Sequence, residues 1–189
     1  MKVNNEADII HLIEQDHWMM NILHHAKSLK LPDWWICAGF VRSKIWDELH
    51  RFTRRTPLSD IDVIYYDLNN LKEETEKEYE DHLRAINPTI PWSVKNEARM
   101  HIRNNVPPYE SSIDAISKFP ETATALGVKL DSSNHVILTA PHGIHDVIHL
   151  EVRPTPYILE NPLLADLYEE RIQNKNWKST WSKLKIFHC

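Results

Sequence analysis

The chain has 189 residues, 42% of them apolar and 26% charged, with a formal net charge of −5. That length and balance describe one globular domain with a substantial core and exclude a disordered chain. A mildly acidic protein is poorly suited to gripping extended DNA by phosphate neutralisation alone, and no stretch reaches the roughly 18 apolar residues of a membrane span.

In chain order, residues 5 to 29 read as helix in two pieces. Ile9, Ile10, Leu12 and Ile13, then Met19, Met20, Ile22 and Leu23, recur at helical spacing. Leu31-Pro32-Asp33 reads as a turn. Trp34 to Ala38 is a short apolar run, predicted as the first strand and ended by Gly39. Phe40 to Phe52 is predicted helical, with Val41, Ile45, Trp46 and Leu49 on one face. A basic loop, Arg51 to Pro57, leads to a second strand over Ile61 to Tyr66. Leu71 to Ile86 reads as a charged helix with a solvated face.

Pro88 and Pro91 then break the chain. Trp92 to Asn96 reads as a third strand, and Glu97 to Arg103 continues as strand or short helix. After Pro107-Pro108, Ser111 to Phe119 and Glu121 to Leu126 are predicted as short helices. Val128 to Leu130 and Val136 to Thr139 read as two strands around a polar turn. Ile144 to Leu150 is predicted helical after Gly143. Asn161-Pro162 starts a helix that runs to about Lys175, and the tail from Trp177 to Cys189 is short and aromatic. One strand–helix–strand unit followed by shorter pieces predicts an α+β fold, a small mixed sheet flanked by helices. The chain reads as a single domain over 1–189, with residues 1–30 an N-terminal helical addition. Two cysteines, Cys37 and Cys189, imply no disulfide framework. With no apolar leader core at the N-terminus, the protein reads as cytoplasmic.

Chemistry concentrates in two stretches. The first is Ile36-Cys37-Ala38-Gly39-Phe40-Val41-Arg42. The second is Thr56-Pro57-Leu58-Ser59-Asp60-Ile61-Asp62-Val63-Ile64-Tyr65-Tyr66. Alternation on a strand projects Asp60 and Asp62 from one side. Two carboxylates held that close repel unless a cation lies between them, and a hard divalent cation with oxygen ligands is the natural partner. Gly39 allows a tight turn and the close approach of a bulky anion. The helix after it offers free N–H groups to a phosphate, and Arg42 reaches the same anion. The pattern therefore points to metal-assisted phosphoryl chemistry.

The segments Ala38-Gly39-Phe40-Val41-Arg42-Ser43 and Ser59-Asp60-Ile61-Asp62-Val63 resemble the nucleotidyltransferase superfamily related to DNA polymerase β, and within it the head of CCA-adding and poly(A) polymerase enzymes. Further segments resemble a narrower bacterial group of nucleotidyltransferase-like proteins. They are Trp46-Asp47 with Leu49-His50, Ser93 to His101, Asp114-Ala115-Ile116 and Pro120 to Ala125. Together they carry the likeness over roughly residues 30 to 185.

The resemblance implies a polymerase β-like fold and Mg²⁺ (or Mn²⁺) held by Asp60 and Asp62. It implies an NTP substrate near Gly39, Phe40, Arg42 and Ser59, with Lys95 and Arg99 close to the transferred phosphate. The acceptor is an unspecified small molecule, RNA or protein. Three departures stand out: Gly39-Phe40 replaces the usual Gly-Gly or Gly-Ser pair, Ser43 replaces an aspartate, and the third carboxylate is not marked. Glu97 is the preferred third acid, with Asn96 and Asp114 as alternatives. The competing reading is an inactive nucleotide-binding or protein-interaction module on the same fold.

Other features admit simpler readings. His145 and His149 lie four apart, as zinc ligands on a helix do, but a zinc site needs three or four ligands, and a surface or packing role, with Asp146 and Arg153 paired, is the preferred reading. Trp92, Trp177 and Trp181 suit a core or a stacking surface. Arg51, Arg54 and Arg55 suit a solvated loop or a phosphate grip.

Overall fold

The computed structural model describes residues 2–189. Two amphipathic helices come first, α1 (Glu6–Glu14) and α2 (His17–Ser28). Asn5 caps α1 by accepting from the N–H of Asp8, whose carboxylate accepts from the N–H of Asn5 in return. Asp16 caps α2 in the same manner, through the N–H of Met19. There follow β1 (Trp35–Cys37), α3 (Gly39–His50), β2 (Ile61–Tyr65), α4 (Glu73–Ile86), β3 (Trp92–Asn96) and α5 (Glu97–Asn104). The remainder runs α6 (Ser112–Ser117), β4 (Gly127–Leu130), β5 (Val136–Thr139), α7 (His145–Ile148), β6 (Glu151–Val152), α8 (Pro156–Leu159), α9 (Pro162–Lys175) and β7 (Lys185–Ile186).

Five strands form one mixed sheet in the order β3-β2-β1-β4-β5. Only β2 and β3 run parallel, joined by α4 as the crossover that parallel neighbours require. β6 and β7 make a separate parallel pair. Side-chain alternation sorts the sheet into two faces. Ile36, Ile61, Val63, Tyr65, Val94 and Val128 face the main core, where they meet Ile9, Ile13, Ile22 and Leu23 of the first two helices and Phe40, Ile45 and Trp46 of α3. Trp35, Cys37 and Ile64 face the other side, where Ile116 of α6 covers part of the sheet. Asp62 shares this second, less covered face with Ile64.

The edge strand β3 is blunted in a specific way. Glu80 accepts from the N–H of Val94 at 2.9 Å and Glu76 from the N–H of Asn96 at 3.0 Å. The acids of α4 thereby satisfy outward-facing donors that would invite pairing with another chain. Lys95 and Arg99 neutralise those acids, at 3.0 Å to Glu80 and 2.8 Å to Glu76.

The sheet, its flanking helices and their order follow the expectation from the sequence. Residues 97–103, left open between strand and helix, form α5, with Asn96 as its cap. The helix expected over Glu121 to Leu126 does not form. Thr122 donates its N–H to the carbonyl of Arg153, Thr155 donates to that of Pro120, and the buried Glu121 pairs with Arg171 at 2.6 Å. Pairing with a distant segment overrides local helix preference there.

Candidate active site

The chain leaves β1 through Ala38, whose φ of 54° and ψ of −116° lie where glycine, not alanine, is at ease. Such strain costs of order 1–3 kcal/mol. Gly39 has no positive φ. A Cβ added there would meet Arg42 Nη2 at 3.5 Å and Leu58 Cδ2 at 3.9 Å, both ordinary contacts. The bend that the sequence assigned to Gly39 is therefore carried by Ala38, while Gly39 keeps its bare Cα at the wall of a cleft. α3 starts at that wall with no side-chain cap on its first N–H groups.

This cleft has a volume of about 300 Å³ and brings Gly39, Arg42, Ser59, Asp60 and Asp62 together. Asp62 is pushed up to about 6 by burial and by the charge of Asp60, against a hydrogen bond from Ser93 and the more distant Lys175 and Arg171. Ser93 is the residue directly across β3 from Asp62. Glu97, 6% exposed, is pushed up to about 8 by burial and then by Asp62, with Lys95 pulling it down only in part. Cys37 feels Asp62, Glu97 and Asp60 on top of its burial, which drives its thiol well above the usual range and leaves it inert as a nucleophile. The three acids thus share one electrostatic neighbourhood with no ion pair to any of them among the described residues. Oxygen donors that repel one another in a half-buried place fit a hard divalent cation. Among the described residues only His145, Asp146 and Glu151 bring three donor atoms within 4.8 Å of one another, so Asp60, Asp62 and Glu97 stand further apart than that, and Glu97 borders a neighbouring cavity and not the cleft.

The rest of the lining includes three cations, and the sequence reading missed two of them. Arg42 is 7% exposed and lies over two indole rings, 4.4 Å from the Trp177 centroid and 5.0 Å from that of Trp46. Burial pulls it down to about 10, leaving it charged at neutral pH; Glu121 and the two aspartates pull the other way. Its Nε, buried, has no hydrogen-bond partner. Arg171 and Lys175 of α9 and Thr180 belong to the same lining. They lie more than a hundred residues beyond the aspartates, so no local pattern ties them to the site. Asp47 locks this closure. It accepts from Thr56 N–H at 2.8 Å, from Thr56 Oγ1 at 2.7 Å and from Trp181 Nε1 at 2.8 Å.

Several residues singled out in the sequence lie elsewhere. The Phe40 side chain is in the core beside Trp18, and Phe40 is not part of the cleft lining. Lys95 and Arg99 border a separate depression and are engaged by Glu76 and Glu80. Asn96 spends its amide on the backbone of Asp67, Asn70 and Ala98. Asp114 pairs with Lys118. Arg55 holds Asp16 at 2.7 Å and stacks on Trp18. Trp92 is core. His145 and His149 stack at 4.1 Å between ring centroids, and Arg153 and Lys185 neutralise the neighbouring Glu151. A wider depression of about 960 Å³ between the N-terminal segment, α3 and α7 carries no pair of acids.

Comparison with known proteins identifies the family and the fold. A family model described as nucleotidyltransferase matches residues 24–186. A solved NMR structure described as revealing a CCA-adding enzyme head domain is 36% identical, covers 99% of this chain and 98% of its own, and superposes with a TM-score of 0.88. A CCA-adding enzyme in complex with ATP has a TM-score of 0.56 at 13% identity, over 94% of this chain and 42% of that one. The Thermotoga maritima CCA-adding enzyme complexed with tRNA has a TM-score of 0.54 at 14% identity, over 98% and 43%. The chain therefore spans less than half of those two enzymes, and at such identity they share the fold alone. No curated protein sequence matches.

Proposed function

The chain belongs to this nucleotidyltransferase family, and from that premise we propose that it moves a nucleoside monophosphate from an NTP to an acceptor hydroxyl, releasing pyrophosphate. The observation that carries the reading is the cleft itself, which gathers Asp60 and Asp62 with the start of α3, Arg42, Arg171 and Lys175 in one lining. A triphosphate there meets helix N–H groups and cations, with the acids in the same lining to hold a metal against it. Arg42, packed over the Trp177 and Trp46 rings, is already ordered at the cleft before a phosphate arrives. Ser59 lies beside the aspartates as a hydroxyl contact for the phosphates. Glu97 takes the proton of the attacking hydroxyl. When bound by Asp60 and Asp62, Mg²⁺ (or Mn²⁺) supplies the positive charge that stabilises the attacking and leaving oxygens. Lys95 and Arg99 keep their structural task on the edge strand.

Calorimetry with Mg²⁺-ATP tests the reading. Asp60→Asn and Asp62→Asn each abolish metal-dependent binding while the circular dichroism spectrum is retained. Unchanged affinity in both variants would remove the acids from the site. A second reading, nucleotide binding without turnover, is favoured by one observation: Ser93 occupies the position on β3 opposite Asp62, where a third acid would sit closest. Pyrophosphate release above that of the Asp60→Asn, Asp62→Asn double variant excludes the inert module.

A further inference from the structure

Beyond the cleft lies a second cavity of about 520 Å³, with walls of a different character. Glu97 borders it, as do Tyr109, Phe119 and Tyr157, and Arg171 borders both it and the cleft. Across the sheet, β2, with Asp60 just before it and Asp62 within it, stands between β1, which runs through Ala38 into Gly39 and Arg42 of α3, and β3, which leads to Glu97. In a phosphoryl displacement the attacking and leaving oxygens lie roughly in line. With pyrophosphate departing on the Arg42 side, the attacking group enters from the Glu97 side. The second cavity is the open volume there.

Its chemistry narrows the occupant. Aromatic walls suit a flat ring. Lys118 stands 5.3 Å from the Tyr109 ring centroid and is also held by Asp114, and Arg171 is held by Glu121. The exposed Arg103 at the rim has no carboxylate partner among the described residues. Glu97 is the one acid on the lining. The volume is that of a small-molecule site, and a chain of net charge −5 is a poor surface for a polyanion.

We infer that this cavity receives the acceptor, a small molecule bearing a flat ring, an anionic group held by Arg103 and a hydroxyl directed at Glu97. This rests on the transfer reading above. The acceptor oxygen bonds to the α-phosphorus, the bond from that phosphorus to the bridging oxygen of the β-phosphate breaks, pyrophosphate leaves, and the hydroxyl proton passes to Glu97.

Two probes carry that chemistry, pyridoxine 5′-phosphate and 4-hydroxyphenylacetate. Saturation-transfer NMR on the full chain measures their binding, and calorimetry measures Mg²⁺-ATP affinity on the same samples. At least one probe binds the wild type and weakens by about tenfold or more in Arg103→Glu and in Tyr157→Ala, a loss expected when an ion contact or a stacking wall goes. Arg103→Lys keeps most of the affinity, and all three variants hold Mg²⁺-ATP within about twofold of the wild type. The proposal is overturned if neither probe binds, if binding ignores both substitutions, or if Mg²⁺-ATP affinity falls with probe affinity, which would place the donor base in the cavity. A short RNA with a free 3′ end accepted in place of both probes also overturns it. Asp60→Asn separates the two readings. Lost Mg²⁺-ATP binding with retained probe binding supports both, whereas retained Mg²⁺-ATP binding in that variant sinks the transfer reading and leaves the probe result to be judged alone.

Discussion

Glu76 and Glu97 are comparably buried, at 1% and 6% exposure, and they meet the chain at adjacent residues. Glu76 accepts from the N–H of Asn96, and Glu97 is the next residue along. Their treatment is opposite. Glu76 has a guanidinium at 2.8 Å and a backbone donor at 3.0 Å. Its neighbour Glu80 is held below the ordinary range because the N–H of Val94 and Lys95 outweigh its burial. Glu97, with Asp62 beside it, has no such partner and is driven upward. The same fold can therefore answer a buried acid fully and does so wherever the acid is structural. The acids it leaves unanswered are Asp60 and Asp62 in the cleft and Glu97 on the neighbouring cavity, where a cation from solution would answer the aspartates.

The largest effect that sharpens this contrast is on chemistry. Asp62→Asn lowers pyrophosphate release by about a thousandfold or more, the scale of losing a metal-borne stabilisation of several kcal/mol, whereas Arg99→Lys leaves turnover near the wild type. Next in size is stability. Glu76→Ala strands the Arg99 guanidinium and an edge-strand N–H, and urea unfolding loses about 3 kcal/mol; a loss near zero would break the comparison from its structural side.

Third is pH. Asp62 and Glu97 hold their protons more tightly folded than unfolded. Their contribution is fully present below the unfolded values of 3.8 and 4.5 and is lost as pH rises through about 6 and then about 8. Asp16 runs the other way. Lys44 and Arg55 outweigh its burial and hold it low, so its contribution is present above 3.8 and lost on acidification. Without metal, the melting temperature falls between pH 5 and pH 8 relative to an Asp62→Asn, Glu97→Gln double variant, and millimolar Mg²⁺ flattens the fall. A pH profile indifferent to Mg²⁺ would mean that no cation enters. The smallest effect has the opposite sign from ordinary damage. At pH 7 without metal, Asp62→Asn raises stability by about 1 kcal/mol, or roughly 2–4 °C in a protein of this size, while Asp16→Asn lowers it.

Much of the frame was legible in the chain. The Asp60-x-Asp62 spacing, the strand before Gly39 and the helix after it follow from alternation and helical periodicity, which are local. What escaped was set by contacts distant in sequence. Arg171 and Lys175 read as ordinary surface charges of a helix until the tail folds back over α3. Lys95 and Arg99 read as cations near a phosphate because nothing local shows that Glu76 and Glu80 will claim them. Glu121 reads as the start of a helix until Arg171 and the carbonyl of Arg153 capture its neighbourhood. The strain at Ala38 was invisible because the adjacent glycine drew the inference to itself.

The dependence of the cleft on Asp47, Thr56 and Trp181 sets an order of events during synthesis. A nascent chain that has emerged only as far as Asn161 already owns both aspartates, Gly39 and Arg42, yet has no Trp177 to steady the guanidinium and no indole to fasten the loop at Thr56. On the proposed function, nucleotide capture would wait until the segment through Trp181 has joined the fold, so a polypeptide stopped at Asn161 would hold both acids without the closure that fastens them.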